Sequence, residues 1–355
     1  MDITIDESYL EHRFQNIRQL ADRGHTKAQY IAADCLCYGK GTKKDPAAAL
    51  RYMTEAANKG YPEAELALGS WYCVGVCTDV DIPTALKWYE RAADHGMGKA
   101  YACVGKLYQI GGIPGIPKAP GYAMELYEMA AKNGWPDALV TCGLMRLEKG
   151  DCEAALDCFS RGREKGVARA ALLLGDMYLL GVIHAPRHED ALACYKQAAN
   201  LGSTISALLV WECARRGIGC RRDADFAAYW EARCSQLGLL DGRTLGQYLF
   251  LHYRDMPLPS ISTLMIAQWL KEETAFPHIR PDSYRMLGDC YANGYGMVQD
   301  DDAAAEMYER GADAGDPISC RRLADCYAEG RGVPQDRREA ALLRDQAEQL
   351  ERPKD

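Results

Sequence analysis

A unit of 36 residues recurs along most of this chain, and a chain of that kind grows by stacking modules rather than by enlarging one core. Counted from a leading glycine, the units open at Gly24, Gly60, Gly96, Gly134, Gly166, Gly202 and Gly238, with one spacing of 38 after Gly96 and one of 32 after Gly134. After Gly238 the beat is lost. It returns with Ile279 in the leading slot and Gly315 a further 36 residues on. Proline two places past the lead occurs at Pro62, Pro136 and Pro317, and Pro281 falls in the same slot, which supports that choice. Proline suits the first turn of a helix, where its missing N–H has no intrahelical role.

Each unit reads as two helices. The first carries Ala64, Leu68, Gly69 and Tyr72, matched by Ala170, Leu174, Gly175 and Tyr178, by Leu287, Gly288 and Tyr291, and by Leu323, Ala324 and Tyr327. These positions share one helical face. The small residue admits a neighbouring helix, and the tyrosine is expected to fill the space beside it. Glycine then ends the helix at Gly39, Gly75, Gly111, Gly181, Gly217, Gly294 and Gly330, consistent with a left-handed cap. Six residues later Asp45, Asp81, Asp223, Asp300 and Asp336 are placed to cap the second helix. That helix follows as AALRYMTEAANKG, TALKWYERAADHG, DALACYKQAANLG and AAAEMYERGADAG. Neither helix alone buries its apolar stripe in water, so successive pairs must stack. Ahead of the first unit, residues Asp6 to Arg23 hold Tyr9, Phe14, Ile17 and Leu20 at helical spacing and are expected to cover the open end as a half-repeat.

The A-x-x-x-L-G-x-x-Y of the first helix, the loop in YGKGTKKD, YGMVQD and GRGVPQD, and the WYERAADHG-type second helix resemble the Sel1-like repeat family, relatives of the tetratricopeptide repeat with a longer loop. The resemblance covers residues 24 to 237 and 279 to about 350. It implies an all-α fold, a right-handed solenoid whose first helices line the concave side, and a role as an adaptor or scaffold holding other proteins. The expected organisation is a capping helix at 1–23, six repeats at 24–59, 60–95, 96–133, 134–165, 166–201 and 202–237, a divergent helical repeat at 238–278, two repeats at 279–314 and 315–350, and a tail at 351–355. Three departures stand out. The third unit inserts IGGIPGIPKAPG between its helices, the fourth shortens its loop to RLEKGDCEAALDCF, and 238–278 keeps helical patterns at Thr244 to Tyr253 and Ser260 to Glu272 but replaces the loop by DMPLPS. This last stretch reads as a decayed repeat or as a hinge or special contact site.

Motifs that carry chemistry are absent from the sequence: there is no nucleophile elbow, phosphate-binding loop or dinucleotide fingerprint. His184 and His188 have the spacing of a zinc helix, but Pro186 lies between them and the acid of that motif is missing. Asp300 to Asp302 start a second helix, where negative charge is favoured, and are read as a cap rather than a cation site. The 15 cysteines are odd in number and follow no signal peptide, so reduced thiols are expected. Cys35, Cys37, Cys73 and Cys77 come from adjacent units. Stacked helices lie roughly 8–10 Å apart and a disulfide needs Cα atoms within about 7 Å, so a Cys37–Cys73 bridge is not expected. Cys35, Cys213, Cys290 and Cys326 share one position and read as small packing residues. Neither metal nor cofactor is expected, although a cysteine-rich metal or redox protein stays in view as an alternative.

The net charge of −8 makes nucleic acid an unlikely partner by default. No apolar run approaches the roughly 18–20 residues needed to cross a bilayer, and the acidic start MDITIDESYLEHRF lacks the basic segment of a secretory signal; a cytoplasmic location is the expectation. A non-enzymatic role in binding a protein or peptide follows, on first-helix residues six, ten and thirteen places past the lead. The candidate partner-binding residues are Tyr30, Asp34, Lys106, Gln109, Val140, Leu144, Leu147, Leu172, Asp176, Leu179, Leu208, Glu212, Arg215, Tyr248, Arg285, Asp289, Arg321 and Asp325. Val140, Leu144, Leu147, Leu172, Leu179 and Leu208 form an apolar middle expected to accept a peptide or helix unless superhelical curvature covers it. Arg285 with Asp289 and Arg321 with Asp325 are spaced as helical ion pairs. Within the binding class, a dedicated inhibitor or immunity-type protein that occludes a bacterial toxin or effector is the alternative to an adaptor.

Overall fold

A computed structural model describes residues 7–113, 115–239, 244–253, 260–274 and 280–352. Apart from one isolated bridge between Ile113 and Ile116, the described residues form nineteen α-helices and their connections. They group into two compact units, Met1–Cys142 and Gly143–Asp355. In the first unit α1 (Glu7–Asp22) precedes the pairs α2 (Thr26–Tyr38) and α3 (Pro46–Asn58), α4 (Pro62–Val74) and α5 (Ile82–Asp94), and α6 (Gly98–Ile110) and α7 (Pro120–Lys132). The unit boundary falls within α8 (Ala138–Glu148). The second unit continues with α9 (Cys152–Glu164), then α10 (Ala168–Leu180) and α11 (His188–Asn200), α12 (Thr204–Arg216) and α13 (Ala224–Gln236), α14 (Leu245–Tyr253) and α15 (Ser260–Glu273), α16 (Pro281–Asn293) and α17 (Asp301–Asp313), and α18 (Pro317–Glu329) and α19 (Arg337–Glu351). Within each unit a second helix packs on its own first helix and, α13 excepted, on the first helix of the next pair, the stacking of an α-solenoid.

Local chemistry sets the pair. The Asp45, Asp81 and Asp300 carboxylates accept from the N–H groups of Ala48, Thr84 and Ala303 at 3.0–3.1 Å, and Asp223 and Asp336 cap α13 and α19 in the same way. Gly39, Gly75, Gly181, Gly217, Gly294 and Gly330 close the first helices in the left-handed conformation. Gly111 differs, with φ 62° and ψ −164°, because the chain leaves α6 directly into the proline-rich insertion. That insertion is irregular yet anchored, for Ile116 is buried and the Ala119 N–H still reaches the Tyr108 carbonyl at 2.8 Å. The same loop-closing bond joins Asp81 to Tyr72, Asp300 to Tyr291 and Asp336 to Tyr327 at 2.9–3.0 Å. Pro62, Pro281 and Pro317 open their helices as expected, whereas Pro136 lies in a turn two residues before α8 begins.

The glycine of the first helix has a different complement from the one expected. A Cβ placed on Gly69, Gly143, Gly175 or Gly288 would fall 2.4–2.6 Å from the ring of Tyr89, Phe159, Tyr195 or Tyr308, all on the second helix of the same pair. The first-helix tyrosines Tyr72, Tyr178, Tyr291 and Tyr327 sit half-buried instead. Where the first helix carries Ala33 or Ala324, the second helix puts Met53 or Arg344 in the aromatic slot. At the N-terminus α1 buries Phe14 and Ala21 and leaves Tyr9 and Leu20 exposed; it packs on α2, and its Asp22 accepts the Tyr52 hydroxyl of α3. A Cβ on Gly41 would lie 2.5 Å from the Leu10 carbonyl of α1, just as one on Gly219, Gly296 or Gly332 would meet a carbonyl of His188, Thr263 or Asp301. Helix α1 thus receives the following loop in the way a second helix does. The divergent stretch 238–278 keeps both expected helices as α14 and α15; its lost loop, DMPLPS, lies outside the described residues except for Ser260.

Ring-on-glycine packing leaves no room for a methyl group. Gly69→Ala should therefore lower stability by about 1–3 kcal/mol in a thermal or urea melt. Combining it with Tyr89→Met, the pairing that Ala33 and Met53 use, should recover much of that loss.

Candidate partner-binding face

In the first unit the proposed first-helix positions keep partial access to solvent. Tyr30 is half-buried with its ring 5.5 Å from that of Tyr61, Asp34 pairs with Lys40 at 2.9 Å, and Lys106 is exposed. Gln109 accepts the Tyr127 hydroxyl at 2.9 Å. Leu66, Ser70, Cys73 and Ala102 are half-buried between them. Val140 is the exception: at 4% exposure it is buried and is not a surface residue.

The second unit departs further from the expected groove. Leu144, Leu147, Leu172 and Leu179 are half-buried, and Leu208 is 3% exposed. Leu172, Leu179 and Leu208 join one core with Leu249 of α14 and Met265, Ile266, Trp269 and Leu270 of α15. Helix α15 reaches past its neighbours to pack on α10. Only about 30 Å³ is left between Leu172, Asp176, Ile205, Leu209, Leu249, Met265 and Ile266. The apolar stretch from Leu172 to Leu208 is thus closed by the chain's own divergent repeat, because burying those aliphatic side chains against α15 removes them from water.

Charged candidates in this unit serve the same closure. Glu212 is 2% exposed and receives Arg215 at 2.6 Å and also Arg216. Arg216 bridges to Glu272 of α15 at 3.1 Å and lies over the Trp269 ring. Arg215 stays exposed beside Trp211. The backbone of Tyr248 is helical, and its side chain lies outside the described residues. Towards the C-terminus Arg285 meets Asp289 at 3.6 Å and also Asp316 at 3.3 Å. Arg321 and Asp325 do not pair: Arg321 joins Glu351, and Asp325 receives Arg344 at 3.1 Å.

One rule behind these placements escaped the sequence reading. In four repeats the residue ten places past the lead takes a polar contact from the second-helix residue 19 positions later: Ser70 from Tyr89 at 3.3 Å, Asp176 from Tyr195 at 2.9 Å, Asp289 from Tyr308 at 2.8 Å and Asp325 from Arg344. The constant spacing was the available signal. These side chains tie the two helices of a pair together before they offer anything to a partner. Among the described residues no group of three or more His, Cys, Asp or Glu side chains is placed to hold a metal ion, and no helix is long and apolar enough to cross a membrane.

The family profile for the Sel1 repeat matches residues 26–61, 62–97, 99–135, 168–203, 212–230, 281–316 and 317–343, more than half of the chain. The unmatched stretches contain most of the short-looped unit and of the divergent repeat. The sequence matches none of the curated proteins. Among solved structures the chain is similar to a Sel1 repeat protein from Oxalobacter formigenes, at 26% identity over 64% of this chain and 99% of that one, with a TM-score of 0.52. Immunity protein PA5088 from Pseudomonas aeruginosa is 22% identical over 68% of this chain and 90% of that one, with a TM-score of 0.41. The protective antigen c5321 of uropathogenic Escherichia coli strains, which displays an SLR fold, is 20% identical over 95% and 93%, with a TM-score of 0.28. Only the first is close enough in shape to support an inference, and what it supports is the fold.

Asp176 gives the closed face a pH dependence. Burial pushes its carboxyl from 3.8 up to about 7, partly offset by the Tyr195 hydroxyl. At low pH the group is protonated in both folded and unfolded chains and has no effect. As pH rises from about 4 to about 7 the unfolded chain ionises first, so stability falls, by on the order of 4 kcal/mol once the change is complete. Thermal melts of wild type should therefore drop over that window relative to Asp176→Asn, with the difference constant above it.

Proposed function

Because the chain belongs to the Sel1 repeat family, we propose that it is a non-enzymatic interaction scaffold that binds a protein or peptide on the first-helix face of its N-terminal unit. The observation that carries this reading is the contrast between the two units. In the second, α15 covers the equivalent apolar face; in the first, Tyr30, Asp34, Leu66, Ser70, Ala102, Lys106 and Gln109 keep access to solvent in successive repeats. Small side chains and an aromatic ring at one end suit a segment laid across consecutive helices, and Asp34 and Lys106 supply opposite charges to orient it. Helix-in-groove recognition of this kind uses the stacked pairs as a rigid support.

Affinity capture from the native cell, followed by binding measurements on the captured partner, tests this reading. Reversing both charges, Asp34→Lys with Lys106→Glu, should weaken binding at least about tenfold, mainly through the association rate. The melting temperature should change little, because both groups lie outside the buried core. Undiminished binding by the double variant would remove this face as the site.

A further inference from the structure

Cys77 is the one non-glycine residue with positive φ among the described residues, at 58°. It stands seventeen places past its leading glycine, the slot that Gly41, Gly219, Gly296 and Gly332 fill in other repeats with φ 67–70°. A side chain in that left-handed conformation costs stability that glycine avoids. Outliers of this kind point to a local task. The Cys77 thiol neighbours that of Cys37, which is buried at the end of α2 in the preceding repeat. Both sulfurs belong to one apolar cluster formed by the first two repeats. Cys73, the nearer match in phase, lies instead beside Tyr89 and Cys103.

From the thiol contact and the left-handed backbone at Cys77 we infer that Cys37 and Cys77 form a disulfide-bonding site that links the first and second repeats. Closing the bridge brings the two sulfurs to the roughly 2.05 Å of an S–S bond. The oxidant is a low-molecular-weight disulfide. The Cys77 thiolate, on the more accessible residue of the two, attacks one sulfur of that disulfide to give a mixed disulfide and releases one small thiolate. The Cys37 thiolate then attacks the Cys77 sulfur, forming the Cys37–Cys77 bond and releasing the second. Two electrons pass from the protein thiols to the small disulfide, and the two thiol protons end on its two thiolates. Burial, followed by the neighbouring Cys37 thiol, pushes the Cys77 thiol up to about 12, so little thiolate exists near neutral pH and the exchange is slow.

The test incubates the folded full-length chain with glutathione disulfide, quenches with an alkylating agent and maps cross-linked peptides by mass spectrometry. The expected result is a Cys37–Cys77 peptide as the main cross-link, with a rise in melting temperature of roughly 5–10 °C that dithiothreitol reverses. Cys77→Gly restores the residue that four sibling repeats carry and should fold normally by circular dichroism. Its melting temperature should not rise on oxidation. Three outcomes overturn the assignment: a glutathione adduct on Cys77 without a cross-link, cross-links among other cysteines with none between Cys37 and Cys77, or an equal rise in the Cys77→Gly variant.

Discussion

Packing of a second-helix ring against a first-helix glycine holds the pairs of Gly69, Gly143, Gly175 and Gly288 together. It brings two backbones close enough that a single added methyl group would meet Tyr89, Phe159, Tyr195 or Tyr308 well inside contact distance. The depth of that approach also places the tyrosine hydroxyl opposite the residue ten places past the lead, so one contact sets both the apolar and the polar register of the pair. Asp176 owes its burial to it. Caps and loop-closing hydrogen bonds then fix where each helix begins, and the stack follows from the apolar faces the pairs leave over.

The second unit shows how a repeat fold can consume its own binding surface. In α15 the side chains of Met265, Ile266, Trp269 and Leu270 do for α10 and α12 what a bound helix would do, and the bridge from Glu212 through Arg216 to Glu272 pins the helix by charge. The helices of this repeat pack differently from their neighbours, α14 on α12 and α16 and α15 on α10. The corresponding face of the first unit is more polar, with Asp34, Ser70, Lys106 and Gln109 on it. A partner there meets half-buried tyrosine and small residues rather than a row of leucines.

Much of the fold was legible in the sequence because it is written several times over. Leading glycines, capping aspartates and helix-closing glycines recur at fixed offsets, and each names a backbone conformation directly. Gly111 and Pro136 departed because a neighbouring insertion or turn changed the chain's exit or entry there. The candidate site was far less legible. Offsets on a helix say which side a residue faces, and they do not say what the chain brings to that side from a distance. Leu172 and Leu179 read as an open groove until α15 arrives from some ninety residues later in sequence, and Val140 and Leu208 lie deeper than their phase implied. Arg321 and Asp325 have the spacing of an ion pair, yet Arg344 takes Asp325 because it occupies the slot where other repeats put a tyrosine.

The loop glycine resting on a carbonyl of the preceding second helix leaves adjacent repeats unspecific to one another. Gly41, Gly219, Gly296 and Gly332 each touch backbone, which every possible neighbour would present in the same form, so those repeats can in principle be exchanged or duplicated without redesigning the joint. The repeat that carries Cys77 reaches instead for a particular side chain, Cys37. Its joint with the first repeat is keyed, and a chimaera that moves either repeat alone loses the match.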